Sequence, residues 1–92
     1  MIWTTKAVKG FENIINYLEE NWTEREIKNF IKETEEVLAL LKEHPEMFQK
    51  SVKHKTLHRG LLNRLTILTY RINTRKQQIQ LINIRGARQK PL

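Results

Sequence analysis

The side chains that could do chemistry are few. Three imidazoles, His44, His54 and His58, stand in a chain with no Cys and no Asp, and no carboxylate lies near the last two. His54 and His58 are four apart, a spacing that aligns two ligands on a helix but separates them on a strand. No metal site follows. Ser and Thr occur without a His–acid pair to activate them. The glycines Gly10, Gly60 and Gly86 form no phosphate-binding loop. A serine or metal hydrolase is thereby set aside, and no cofactor is expected.

What remains is positive charge. Lys50 to Leu92 carries eleven Lys/Arg and no acid, while Met1 to Gln49 holds six Lys/Arg against ten Glu, a balance of −4. The whole chain of 92 residues has net charge +7. Lys53, Lys55, Arg59, Arg71, Arg85, Arg88 and Lys90 lie in or beside the extended segments of the basic half. Neighbouring strands could gather several of these into one field for phosphate or for a carboxylate-rich partner. Arg can hold phosphate bidentately. With His58 as a base, such a patch could also cleave a phosphodiester without metal, the 2′-hydroxyl losing its proton while cations stabilise the transition state. The composition permits that reading and does not require it, because charged side chains usually sit solvated on surfaces.

Elements must hold these groups, and the hydrophobic periodicity supplies them. Met1–Thr4 reads as a short strand. From Ala7, the residues Val8, Phe11, Ile14, Ile15, Leu18 and Trp22 recur at helical spacing, with Gly10 weakening the helix slightly. Thr23 with Glu26 three residues on is a capping-box pattern. It opens a second helix that carries Ile27, Phe30, Ile31, Thr34, Val37, Leu38 and Leu41 on one face and ends at His44-Pro45. Strands are expected at Thr56–Leu62, Thr66–Asn73 and Gln78–Arg85. Leu81-Ile82 interrupts the alternation of the last, which calls for a bulge or burial on both sides. Tyr70 alternates with Leu68 and Ile72 and is expected in the core. Trp3 and Trp22 belong to the core or to a seam beside the first strand. The fold class is α+β, in the order β-α-α-β-β-β: a helical hairpin over one face of a small, mostly antiparallel sheet, the other face left open. One domain, 1–92, is expected from the length and the lack of repeats or linkers.

The residues also resemble a family. Trp3-Thr4 followed by Ala7, then Ile14-Ile15, Tyr17-Leu18 and Trp22, then Phe30, Leu38, Leu41 and Pro45, are similar to the opening strand and helical hairpin of the RelE/ParE toxins of bacterial type II toxin–antitoxin systems. Leu61-Leu62-Asn63-Arg64 and Leu68-Thr69-Tyr70-Arg71-Ile72 resemble the family's hairpin ending in a Tyr-Arg-Ile/Val strand. Ile79, Leu81 and the closing Arg88-Gln89-Lys90-Pro91 continue the likeness. Gly86-Ala87 stand where many ParE-like members have an acidic residue before the arginine. The likeness spans nearly the whole chain.

The resemblance implies a growth-inhibiting toxin neutralised by a cognate antitoxin, with operator DNA engaged through the antitoxin. Two activities divide the superfamily. ParE-like members poison DNA gyrase without chemistry of their own. RelE-like members cut mRNA on the translating ribosome, and here would draw on Lys53, Lys55, His58, Arg59, Arg71 and Arg88. The short tail Lys90-Pro91-Leu92, with no tyrosine or histidine after Tyr70, looks more like the ParE-like close. Arg59, Arg71, Arg85, Arg88 and Lys90 are then the candidate surface for target or antitoxin. A non-toxic nucleic-acid-binding domain is the third alternative. The absence of cysteine suits a reducing compartment. No apolar run is long enough to span a membrane, and Lys6, Lys9 and Glu12 interrupt any signal-like segment. A cytoplasmic location is the expectation.

Overall fold

The computed structural model describes residues 1–54, 56–63 and 65–87. Thr4 caps the first helix and also anchors it. Its hydroxyl accepts from the Ala7 N–H at 3.2 Å and donates to the Leu81 carbonyl at 2.7 Å. A single side chain thus terminates strand β1 (Ile2–Trp3), starts helix α1 (Thr5–Asn21) and ties both to strand β4 (Gln78–Gly86). The helix begins two residues earlier than its apolar stripe suggests, because a cap is a polar signal ahead of that stripe.

Two residues, Trp22 and Thr23, turn the chain into α2 (Glu24–Glu43). The capping box is present: Thr23 Oγ1 accepts from Glu26 N at 3.2 Å, and Glu26 Oε1 accepts from Thr23 N at 3.1 Å. Each helix buries one stripe, Ala7, Ile14 and Leu18 on α1 and Phe30, Thr34 and Leu41 on α2. Buried Thr34 satisfies its hydroxyl by donating to the Phe30 carbonyl at 2.9 Å. Aromatic rings run as a ladder through the layers. Trp3 meets Phe11 edge-on at 5.9 Å, Phe11 stacks on Phe30 at 6.1 Å, and Phe30 meets Trp22 at 6.3 Å. Such pairs contribute roughly 0.5–1.5 kcal/mol each beyond their burial. Trp3, 38% exposed, is therefore a seam between β1 and α1 rather than a core residue.

The basic half forms β2 (Leu57–Asn63), β3 (Thr66–Asn73) and β4. The four strands lie in the order β1-β4-β3-β2, antiparallel except for β1, which runs parallel to β4. The irregularity at Leu81-Ile82 is a bulge: Tyr70 opposes Leu81 and Thr69 opposes Asn83, leaving Ile82 as the extra residue. The bulge restores the alternation, so that Ile79, Leu81 and Ile84 all reach the core with Leu68 and Tyr70. A second slip, between Leu61 and Asn63, precedes the β2–β3 turn, where Asn63 Oδ1 accepts from Leu65 N at 2.9 Å.

Candidate functional site

The sheet has one covered face and one open face, and its register places every strand residue on one of them. Leu68, Tyr70 and Ile72 of β3 face the helices, opposite Ile84, Leu81 and Ile79 of β4. Between them, Leu57, Arg59 and Leu61 of β2, Ile67, Thr69 and Arg71 of β3, and Gln80, Asn83 and Arg85 of β4 occupy the open face.

On that face the pairing aligns three cross-strand rows. Leu57, Arg71 and Gln80 make the first, Arg59, Thr69 and Asn83 the second, and Leu61, Ile67 and Arg85 the third. Each row and each of the three strands contributes one arginine. Arg59 and Arg71 are diagonal neighbours, with Cβ atoms roughly 7–8 Å apart. Two unit charges held at that separation would repel by about 0.6 kcal/mol in water. Arg59 and Arg71 do not shun one another because each is exposed and can point its head into solvent. Arg85, half-buried, lies nearer α1. Among the described residues the recorded ion pair is Lys28–Glu24 on α2, so no carboxylate neutralises the sheet arginines. All ten Glu are exposed residues of α1, α2 and the turn after α2.

The arginines are set among apolar side chains. Leu61 is 57% exposed, and Leu57, Ile67 and Ile82 are half-buried. Sequence reading singled out the cations and passed over these neighbours, although the alternation in Leu57–Leu61 carried the signal. An apolar floor studded with exposed guanidinium groups suits a protein partner that brings both carboxylates and aliphatic side chains.

The other candidates are distributed differently. His58 is buried, 5% exposed, on the covered face. Its ring stacks on Tyr70 with centroids 5.0 Å apart, and its Nδ1 is 2.9 Å from the Phe48 carbonyl oxygen. It lies on the opposite side of the sheet from Arg59 and Arg71. Tyr70, fully buried, donates its hydroxyl to the Pro45 carbonyl at 2.6 Å. Burial raises its pKa above the usual 10.0; a backbone hydrogen bond at Phe48 works against this and the charge of Glu46 adds to it. His58 and Tyr70 therefore strap the segment after α2 onto the sheet. The main chain completes the strap, with Arg59 N donating to Gln49 O at 2.9 Å and Ser51 N to Leu57 O at 2.7 Å. Lys53 is exposed in the loop before β2. Lys55, Arg88 and Lys90 lie outside the described residues. Among the described residues there is no cluster of side chains able to hold a metal, and no helix is long and apolar enough to cross a membrane.

Two helices packed against a four-stranded, largely antiparallel mixed sheet are consistent with the RelE/ParE-like fold. The chain belongs to the family described as ParE toxin of type II toxin–antitoxin system, parDE, whose model matches residues 1–91. It is thus the toxin component of such a system, and family membership implies a cognate antitoxin. No curated protein matches the chain.

Proposed function

We propose that the chain, acting as a single domain over residues 1–92, inhibits growth by binding DNA gyrase or a related topoisomerase, and that Arg59, Arg71 and Arg85 carry the binding. One observation supports this reading over mRNA cleavage. Among the described residues, the open face holds arginines, amides, the Thr69 hydroxyl and aliphatic side chains, with no imidazole, phenol or carboxylate to move a proton. The imidazole that could have served, His58, is stacked in the core with its Nδ1 engaged by Phe48. Arginine stays protonated at every physiological pH, so it can hold a partner but makes a poor base.

The same face suits the antitoxin. A segment presenting carboxylates to the arginines and aliphatic side chains to Leu57, Leu61 and Ile67 would cover the working surface and neutralise it. Apolar contacts would anchor such a complex against salt, since screening weakens only its charged part. Target and antitoxin would then compete for one surface.

The test sets two assays side by side. The purified chain is added to the gyrase of its own host and supercoiling is followed; in parallel it is added to translating ribosomes and message integrity is followed. Inhibited supercoiling, weakened by Arg59→Glu with Arg71→Glu, is expected. Cleaved message with unaffected supercoiling would overturn the proposal.

A further inference from the structure

A second basic site meets the open face along the edge of β4, at its junction with α1, and shares Asn83 and Arg85 with that face. Strand β1 pairs with β4 only at Gln80 and Leu81 and then ends. Past that point the edge of β4 is bordered by the first turns of α1. Between them is an open cavity of about 560 Å³ lined by Thr5, Lys6, Lys9 and Asn13 from α1 and by Asn83 and Arg85 from β4, with Gly10 and Ile84 at its floor.

Three cationic residues and two with primary amides line it, and none of the lining residues is a carboxylate. None of the three cations forms an ion pair among the described residues. Local electrostatics disfavour the placement, though only mildly because Lys6 and Lys9 are exposed. The first turn of α1 has no acid and contains Lys6, whereas α2 follows the usual rule with Glu24 and Glu26 in its first turn. A cation at a helix N-terminus opposes the peptide dipoles, and Lys9 and Arg85 add further repulsion. Departures of this kind from a local rule gather at functional sites, and a bound anion would offset the conflict.

We infer that this cavity, built by Lys6, Lys9, Asn13, Asn83 and Arg85, binds a phosphate group. A free phosphate carries more charge than a carboxylate, and a singly charged phosphodiester still adds ester oxygens to its two anionic ones as acceptors. Either can therefore use the amide donors as well as the cations, with Arg85 able to engage two of its oxygens. The cavity is open to solvent and the donors come from two elements, so either a phosphodiester of a nucleic-acid backbone or a free phosphate can enter. Contact through Lys6 and Lys9 would give the toxin its own hold on a nucleic acid, in contrast to the expectation that DNA is reached only through the antitoxin.

The test uses the full chain without antitoxin and two probes. The first is a fluorescent 20-base-pair duplex of mixed sequence, followed by anisotropy across a salt series. The second is inorganic pyrophosphate, followed by backbone amide shifts. The variant is Lys6→Gln/Lys9→Gln/Arg85→Gln, with Lys50→Gln/Lys53→Gln/Lys76→Gln as a control of equal charge change and far-UV circular dichroism as a check of folding. Loss of about tenfold or more in duplex affinity, with a salt slope shallower by about 2–3 for the cavity variant alone, supports the site with a nucleic-acid phosphate as its ligand. Pyrophosphate shifts at Thr5, Lys6, Asn83 and Arg85 that vanish in the variant, with duplex binding unchanged, support it with a free phosphate. If the two triple variants behave alike towards both probes, the cavity is not a phosphate site and the inference falls.

Discussion

Gly10→Ala separates two opposed forces in a single residue. Judged as a helix position, Gly10 is a defect, and alanine should stabilise α1 by about 1 kcal/mol. In the fold the sign reverses. A Cβ at Gly10 would stand 3.1 Å from the Ile84 carbonyl carbon and closer still to its oxygen, inside the separations that real Cβ atoms keep. Contact optima near 3.5–4.0 Å mean that α1 would have to lift from β4 by an appreciable fraction of an ångström. The obstacle is backbone, pinned on its far side by the β3–β4 ladder through Leu68, so no rotamer change can relieve it. An overpacking cost near 3 kcal/mol, less the propensity gain, leaves a net loss of about 2 kcal/mol. In a domain of this size that lowers Tm by about 8–16 °C. Urea titration followed by circular dichroism reads it directly. Gly60→Ala is the comparison: its new Cβ would meet the Phe48 ring at 3.0 Å, and a side chain can shift, so a smaller loss is expected. If Gly10→Ala matched or exceeded the wild type in stability, the close packing of α1 on β4 would be refuted.

Thr23→Ala removes the hydroxyl that accepts from Glu26 N and should cost about 1 kcal/mol in chemical denaturation, with Glu26→Ala adding less than its own single effect because the two share one capping box. Tyr70 has its folded pKa raised above 10.0 by burial, so its contribution to stability is complete below about pH 10 and is lost as pH rises through the folded value. Tyr70→Phe should flatten that alkaline loss in a pH series of denaturation midpoints. It should also cost about 1 kcal/mol near neutrality, for the lost bond to Pro45. Arg59→Glu with Arg71→Glu should weaken antitoxin binding by about 10–100-fold, read by calorimetry at moderate salt, whereas Lys28→Glu on α2 should leave it unchanged.

The elements were legible in the chain because each carries a local signal. Thr23 and Glu26 announce α2, Pro45 closes it, and the alternation of Thr66–Asn73 matches β3 residue for residue. The candidate site was legible only in part. Lys53, Arg59, Arg71, Arg85 and His58 all belong to the basic half, and composition offers no reason to separate them. Strand period does separate them once the register is known: His58 and Arg59 are adjacent in sequence and therefore on opposite faces. Lys6 and Lys9 escaped notice because they belong to the acidic-leaning half, where their partner in space, Arg85, is more than seventy residues away.

By itself the sequence determined the class of the protein: the order of elements, the confinement of Glu to the half that forms the helices and of most Arg to the half that forms the sheet, and the family to which the chain belongs. These depend on periodicity, caps and composition, all of which act between near neighbours. Tertiary structure alone decided which cations share a face, why a glycine interrupts α1 at its contact with β4, and where the bulge at Ile82 returns β4 to register. Those outcomes are set by pairing and packing between residues far apart in the chain. A one-residue shift in register would turn Arg71 inward and Tyr70 outward without altering a letter of the sequence.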